Sequence, residues 1–410
     1  MISARMKHLA TLVTSLGVGG PRPMVVLDNL ESWSGALVDT EGLPVGEPAD
    51  AGVAEVAPGD VLFGKLRPYL AKSWLADRPA YASTELLCLR SINQVSPRWL
   101  AYLVRTQPFV EWAVATSDGT KMPRTSWEKL GSYRVQVPDP RSQRVIADYL
   151  DRETARIDAL IAAKRRMIDL LEERKSVAFV RILAEGGFAF PLTLDPNWNE
   201  IHLPTAWMVI GLGQCLRQLT NGYVGPTRDI LRDDGIRYIQ SLHIKNGQID
   251  FERSPYFVEL AWHDARPRIH LRPGDVLLVQ TGDIGQVAVV PPGFGDASCH
   301  ALQIARVRPE MMSGEYLAAY LRSPFGYQLL LSRATGALHP HLEGGIKDVP
   351  VVVPPRPLQR EIVRAVAQDQ TECDRLIRVI GAQGDLLRER RQALITAAVT
   401  GELDIPGVAA

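Results

Sequence analysis

The sequence predicts an α+β protein with an internal pseudo-two-fold repeat: two similar domains separated by two long antiparallel helices that form a coiled coil. Three observations predict it. Val135-Gln136-Val137-Pro138-Asp139-Pro140-Arg141-Ser142-Gln143-Arg144-Val145-Ile146 returns about 216 residues later as Val351-Val352-Val353-Pro354-Pro355-Arg356-Pro357-Leu358-Gln359-Arg360-Glu361-Ile362. Each copy opens a long run of helical periodicity. Ahead of each copy, core-type segments follow one another in the same order while the loops between them differ. Self-similarity at one fixed offset marks a duplicated structural unit.

In the first copy Pro138 and Pro140 end a Val-x-Val strand, because proline donates no ladder hydrogen bond and holds its predecessor in extended geometry. Asp139 then stands as N-cap with Pro140 at the first helical position. Apolar residues follow at spacings of three, four and seven: Ile146, Leu150, Ile157, Leu160, Ile161, Ile168, Leu171, Ala178 and Ile182. The second helix carries Ile362, Val366, Cys373, Leu376, Ile377, Ile380, Leu387 and Leu394 in the same register. Such spacing puts one apolar seam on each helix, and about 40 helical residues span roughly 60 Å. Two narrow seams with charged flanks bury each other most simply as an antiparallel pair. The alternative is that each helix stitches a homodimer or covers a sheet. Gly381 and Gly384 each weaken a helix by about 1 kcal/mol relative to alanine, which predicts a bend or loosened turn there.

The resulting partition is a first domain over 1–139, a central helix over 140–185, a second domain over 186–355, a distal helix over 356–402 and a tail over 403–410. A chain of 410 residues has room for two ordinary domains and the helices. Its 46 Lys and Arg balance 46 Asp and Glu, so any charged binding face must come from local segregation of charge. Cys88, Cys215, Cys299 and Cys373 lie far apart with no CxxC pair. That argues against a disulfide framework and a zinc site and predicts a reducing, cytoplasmic compartment. No run of about 20 apolar residues occurs, so neither a membrane-spanning nor an exported form is expected.

Taken in order, Val25-Val26-Leu27 predicts a strand, with a turn over Asn29 to Gly35. Pro58-Gly59-Asp60-Val61-Leu62-Phe63 predicts a turn entering a buried strand. Gly64-Lys65-Leu66-Arg67-Pro68-Tyr69-Leu70-Ala71-Lys72 places cations and an aromatic in one loop. Pro97 to Val114 predicts an amphipathic helix and its turn, with Trp99, Leu100, Leu103, Val104, Phe109 and Trp112 as core residues. Ser117 to Arg124 is a polar loop. In the second half Pro273-Gly274-Asp275-Val276-Leu277 answers the first turn and strand, and Gly282-Asp283-Ile284-Gly285 stands where the basic loop stood. Tyr316 to Phe325 answers Trp99 to Phe109, and Gly336 to His341 answers Gly119 to Arg124. A scaffold that keeps its core and varies its loops is suited to presenting two different sets of contacts.

Catalytic signatures are missing. There is no GxxxxGK[ST], no HExxH and no zinc-type Cys/His spacing. Asp195-Pro196-Asn197-Trp198 is the nearest approach to an adenine methyltransferase motif, but no glycine-rich loop after a strand accompanies it, and it reads as a turn opening the second domain. His339 and His341 flank a proline without a third ligand nearby, which favours polar loop contacts over a metal. Gly17-Val18-Gly19-Gly20 lacks the preceding strand and downstream acid of a dinucleotide site.

The two Pro-x-x-x-x-Gln helix openings, the two Pro-Gly-Asp-Val-Leu strands and the closing Val399-Thr400-Gly401-Glu402-Leu403 together resemble the DNA specificity subunits of type I restriction-modification systems over nearly the whole chain. Leu203-Pro204-Thr205-Ala206-Trp207 with Leu212-Gly213 is similar to the opening of a recognition domain in that family. The first half lacks that opening and starts near Met6-Lys7-His8-Leu9, and Ser142 and Leu358 replace the family's acidic residue before the helix-opening glutamine. The resemblance implies two target recognition domains that each read one half of a split DNA sequence. It implies a subunit that is not itself an enzyme and holds no cofactor. Two methyltransferase subunits using S-adenosylmethionine dock on it, and two restriction subunits driven by ATP and Mg can join.

For such a reader, Lys and Arg supply phosphate contacts, while Arg, Gln, Asn and Thr read base edges. The loops nominate Lys65, Arg67, Tyr69, Lys72, Lys121 and Arg124 in the first half. In the second they nominate Tyr223, Arg228, Gln240, His243, Thr281, His339 and His341. The charged surface from Arg152 to Lys175 nominates Lys164, Arg165 and Arg166 for partner docking. Two other classes stay open: a protein-binding scaffold with two similar domains, and a self-contained methyltransferase or nuclease.

Overall fold

The computed structural model describes residues 2–14, 20–38, 43, 45–46, 53–185, 206–336, 341–342 and 344–408. The chain divides into two compact units, Met1–Arg166 with Ile380–Ala410, and Met167–Val379. Each takes half of each long helix into its core.

In the first unit Ile2–Arg5 pairs antiparallel with Arg134–Val137, the strand that the Pro138 break terminates. An antiparallel sheet runs in the spatial order Ala10–Leu12, Leu86–Ser91, Val61–Gly64, Ser73–Leu75. A smaller sheet follows the order Val45–Gly46, Arg22–Val25, Ala80–Ala82, Ala54–Val56, with its middle pair parallel. Val61, Leu62 and Phe63 are fully buried. Phe63 packs edge-on against Phe109 from the helix Gln107–Ala115, and Trp99 and Leu100 from Pro97–Leu103 join the same core. The expected single helix over Pro97 to Val114 is thus two helices, broken at Val104–Thr106. Trp112 is 38% exposed and its indole N–H donates to Lys129 O at 3.2 Å, so it is not the core residue its spacing suggested.

The second unit repeats this order. Met208–Gly211 pairs with Pro350–Val353. The sheet Leu216–Asn221, Leu302–Val307, Val276–Val279, Val287–Val289 matches the first unit's larger sheet, and Ile236–Ile239 lies parallel to Ala297–Cys299 as Arg22–Val25 does to Ala80–Ala82. Both Pro-Gly-Asp turns have one physical explanation. Gly59 and Gly274 adopt φ of +91° and +86°, a region L side chains avoid. The following aspartate closes the turn by accepting a backbone N–H, from Ala57 to Asp60 at 2.8 Å and from Arg272 to Asp275 at 3.0 Å. An arginine on the neighbouring strand holds each carboxylate: Arg90 reaches Asp60 at 2.8 and 2.7 Å, and Arg306 Nε reaches both oxygens of Asp275 at 3.2 Å.

The long helices cover Pro140–Glu185, 46 residues, and Arg356–Thr400, 45 residues. At about 1.5 Å per residue each is close to 70 Å long. They pack together antiparallel. In the first unit Asp158 meets Arg391 at 2.9 Å and Lys164 meets Gln383 at 2.6 Å; in the second Lys175 meets Asp374 at 2.5 Å and Arg181 meets Asp369 at 2.8 Å. Ile146, Leu150, Ile157, Ile161 and Ile380 are buried in the first unit, and Ala178, Ile362, Val366 and Cys373 in the second. Leu160 departs from the expected seam at 48% exposure. Its neighbour Ile161 occupies the inward position, and residues adjacent in a helix point about 100° apart. The loosened turn expected at Gly381 and Gly384 is absent, because helical structure continues through both. Asp139 caps the first helix as expected, accepting from the N–H of Arg141 at 2.9 Å and of Ser142 at 3.1 Å. The Ser142 hydroxyl adds a bond of 2.6 Å.

Candidate nucleic-acid interface

In the first unit Ala10–Leu12 and Val61–Gly64 end, and Leu86–Ser91 begins, at a common edge, and two loops beyond it are stitched together. The N–H of Arg67 donates to Pro123 O at 2.8 Å, the N–H of Thr125 donates to Lys65 O at 3.0 Å, and Leu66 bridges Arg124. Lys65, Arg67, Tyr69, Lys72, Lys121 and Arg124 are therefore brought to one edge by the strand ends and these two loops. Arg67 and Ala71 flank the turn Pro68–Leu70 with φ of +51° and +46°. Non-glycine residues adopt this region rarely, and such strain survives only where surrounding bonds impose it.

The side chains at this edge are of two kinds. Lys65 donates to Thr84 O at 2.7 Å, Lys72 donates to Leu27 O at 2.9 Å, and Arg124 pairs with Glu85 at 3.0 Å. Arg67, Tyr69 and Lys121 are exposed, and among the described residues neither Arg67 nor Lys121 has a side-chain partner. Two free cations and a half-exposed tyrosine ring on two hydrogen-bonded loops can take phosphate oxygens and a groove edge.

The corresponding edge of the second unit holds different groups. Gly222 donates to Leu302 O at 2.8 Å and Tyr223 bridges His300, while Thr281 bridges His341 as Leu66 bridges Arg124. The Thr281 hydroxyl and His341 Nδ1 lie 2.6 Å apart. Arg228 is exposed in the following loop and Gln240 is half-buried. Burial lowers the pKa of His300, whose Nδ1 lies 3.3 Å from the Tyr238 hydroxyl. This edge presents phenol, hydroxyl and imidazole groups where the first presents Arg67, Lys121 and Arg124.

His243 does not belong to it. The residue is fully buried, Nδ1 accepts the N–H of Gln240 at 2.9 Å and Nε2 lies 2.8 Å from Ser254 O. Both ring nitrogens are occupied in building the turn, and burial lowers the pKa of the ring. His339 lies outside the described residues, as do Asp195 to Trp198 and Leu203 to Thr205. Of the residues nominated for partner docking, Arg165 and Arg166 are exposed and Lys164 is half-buried on Gln383.

Sequence reasoning passed over Trp262 and Arg266. The Arg266 guanidinium lies 4.2 Å from the Trp262 ring centre and 5.7 Å from that of Tyr223. The signal was present: Trp262-His263-Asp264-Ala265-Arg266-Pro267-Arg268-Ile269-His270 interleaves aromatic and basic residues. Among the described residues no group of three or more His, Cys, Asp or Glu could hold a metal ion, and no helix is long and apolar enough to cross a membrane.

Two repeated α+β units that share a pair of long packed helices form the fold of type I restriction-modification specificity subunits, and the resemblance carried by the sequence motifs extends to overall similarity. The Escherichia coli type I restriction enzyme EcoBI specificity subunit is 22% identical over 362 residues, covering 85% of this chain and 74% of that protein. A chain in a solved structure of type I R-M complex assembly and conformational transition superposes with a TM-score of 0.75 at 19% identity, covering 98% of both chains. The HsdS subunit from Thermoanaerobacter tengcongensis gives a TM-score of 0.59 at 19% identity over 98% of this chain and 97% of that one. No family model matches the chain.

Proposed function

We propose that this chain is the DNA-reading subunit of a type I restriction-modification complex, each unit reading one half of an asymmetric, two-part target. The observation that carries the proposal is the pair of equivalent edges with unlike side chains: Arg67, Lys121 and Arg124 on one, Tyr223, Thr281 and His341 on the other. One scaffold with two chemistries yields two different half-sites. The edge with Arg67 and Lys121 supplies salt-dependent phosphate contacts, and the edge with Thr281 and His341 contributes hydrogen bonds to base edges.

The chain itself does no chemistry in this proposal. Two methyltransferase subunits carry S-adenosylmethionine and flip the target adenine while the duplex is held, and restriction subunits with ATP and Mg join the same assembly in the cytoplasm. The exposed cations Arg165 and Arg166, with Lys164, take part in docking the methyltransferase subunits.

The test is selection of bound duplexes from a random library by the chain reconstituted with its methyltransferase subunits. Two short conserved blocks with an unread gap are expected, and methylation should map to adenines within them. Recovery of random sequence by an assembled complex would instead favour a protein-binding scaffold, and methyl transfer by the isolated chain would favour a self-contained enzyme.

A further inference from the structure

We propose that Arg266 is a base-reading residue of the second unit, that Trp262 and Tyr223 hold it ready, and that it recognises a guanine edge; this rests on the DNA-reading function proposed above. Tyr223 stands two residues beyond the strand Leu216–Asn221 and bridges His300, so it marks the end of the sheet that also presents Thr281 and His341. Its ring meets Trp262 edge-on at 5.2 Å. Arg266 lies across both rings and is half-buried. It therefore stands beside the edge already described, one side chain away.

The geometry separates this arginine from a solvated surface cation. Nη1 donates to Trp262 O at 2.9 Å, which fixes the plane of the guanidinium. Among the described residues Nε and Nη2 have no partner, which leaves one side of the fork open. The backbone is fixed as well: the N–H of Arg266 donates to His263 O at 2.8 Å, and Pro267 restricts the residue before it. Stacking on an aromatic face suits the flat, weakly hydrated guanidinium better than a compact, strongly hydrated ammonium. A fork held in one orientation loses little rotamer freedom on binding. Two parallel N–H groups match O6 and N7 of guanine in the major groove, the commonest specific arginine contact. No carboxylate pairs with Arg266 among the described residues, so a purely structural ion pair does not account for it.

The experiment uses the chain assembled with its methyltransferase subunits and selects duplexes from a random library, with Arg266→Ala, Arg266→Lys and wild type in parallel. Wild type should enrich a G·C pair at one position of one half-site. Arg266→Ala should lose discrimination at that pair by about 5- to 150-fold and leave the other half-site unchanged. Arg266→Lys keeps the charge without the fork, so it should retain affinity for random DNA within about threefold and still lose the discrimination. Enrichment of the same G·C pair by Arg266→Ala overturns the proposal, as does equal weakening on every sequence or full recovery by Arg266→Lys. Should Arg266→Ala lower the melting temperature, Arg266→Gln keeps a stem over Trp262 and reads the same discrimination. If wild type itself selects no two-part sequence, the DNA-reading function has failed; if wild type selects one and Arg266→Ala selects it equally, only the role of Arg266 has failed.

Discussion

Gln143 Oε1 accepts the backbone N–H of Ser96 at 2.8 Å while Nε2 donates to Pro138 O at 2.9 Å, and its counterpart Gln359 does the same with Ser313 at 3.0 Å and Pro354 at 2.8 Å. Both glutamines are buried. Each ties the first turn of a long helix to the N-cap of the shorter helix packed beside it, so the helix is held to its own unit by a polar staple. Replacing either by leucine leaves a buried N–H and a buried carbonyl without partners. Gln143→Leu and Gln359→Leu should each lower stability by about 2–4 kcal/mol, with Gln359 the costlier because Nε2 also donates to Met311 O at 2.8 Å. Denaturant midpoints of the two variants measure this, and midpoints at the wild-type value would refute it.

The paired Pro-Gly-Asp turns allow a comparison inside one molecule. Arg306 and Asp275 have side chains 10% and 6% exposed, whereas Arg90 is 49% exposed over a carboxylate at 2%. Removing Arg306 strands a charge that little water reaches, and water can replace the more exposed Arg90 in part. Arg306→Met should therefore cost about 3–5 kcal/mol, and Arg90→Met no more than about half of that, from the smaller worth of exposed pairs. Equal losses by urea denaturation would contradict this burial argument.

Six of the eight histidines follow residue 240, and three of them carry lowered pKa values: His243, His263 and His300, in each case chiefly through burial. For His263 the stacked His270 ring at 3.7 Å adds to the effect. A histidine whose folded pKa lies below its ordinary value near 6.5 binds fewer protons folded than unfolded across that interval. Stability therefore rises with pH there and is lost as pH falls from about 6.5 through the folded values. The second unit should lose hydrogen-exchange protection at pH 5.5 relative to pH 7.5, beyond any change in the first unit. Protection falling equally in both units would show that these rings do not govern the response.

The sequence revealed the parts of this fold that follow from period and repetition. Val61-Leu62-Phe63, the two helix seams and the alignment of Gln143 with Gln359 all obey burial rules that act along the chain. What it hid depends on partners distant in sequence. His243 resembled a loop histidine until Gln240 N and Ser254 O were seen to occupy its ring. Lys65 and Lys72 looked like free cations, but Thr84 O and Leu27 O receive their ammonium groups. The aromatic and basic residues around Arg266 were visible in the sequence, but its contact with Tyr223, from beyond the strand Leu216–Asn221, was not. Leu160 met the seam spacing as well as Ile161 did, and only packing decided between them.

The expectation of a loosened turn at Gly381 and Gly384 failed for a reason that can itself be tested. Both residues lie inside an unbroken helix, and a Cβ added at either position meets nothing within 4 Å. Helical structure there is sustained by packing on either side, against the local preference of glycine, whose unfolded state has the most freedom to lose. Alanine removes part of that freedom without a clash. Gly381→Ala and Gly384→Ala should each raise stability by about 0.5–1 kcal/mol. Thermal unfolding of the single and double variants checks this. A lowered melting temperature in either single variant would mean that the helix needs a glycine's flexibility at that point.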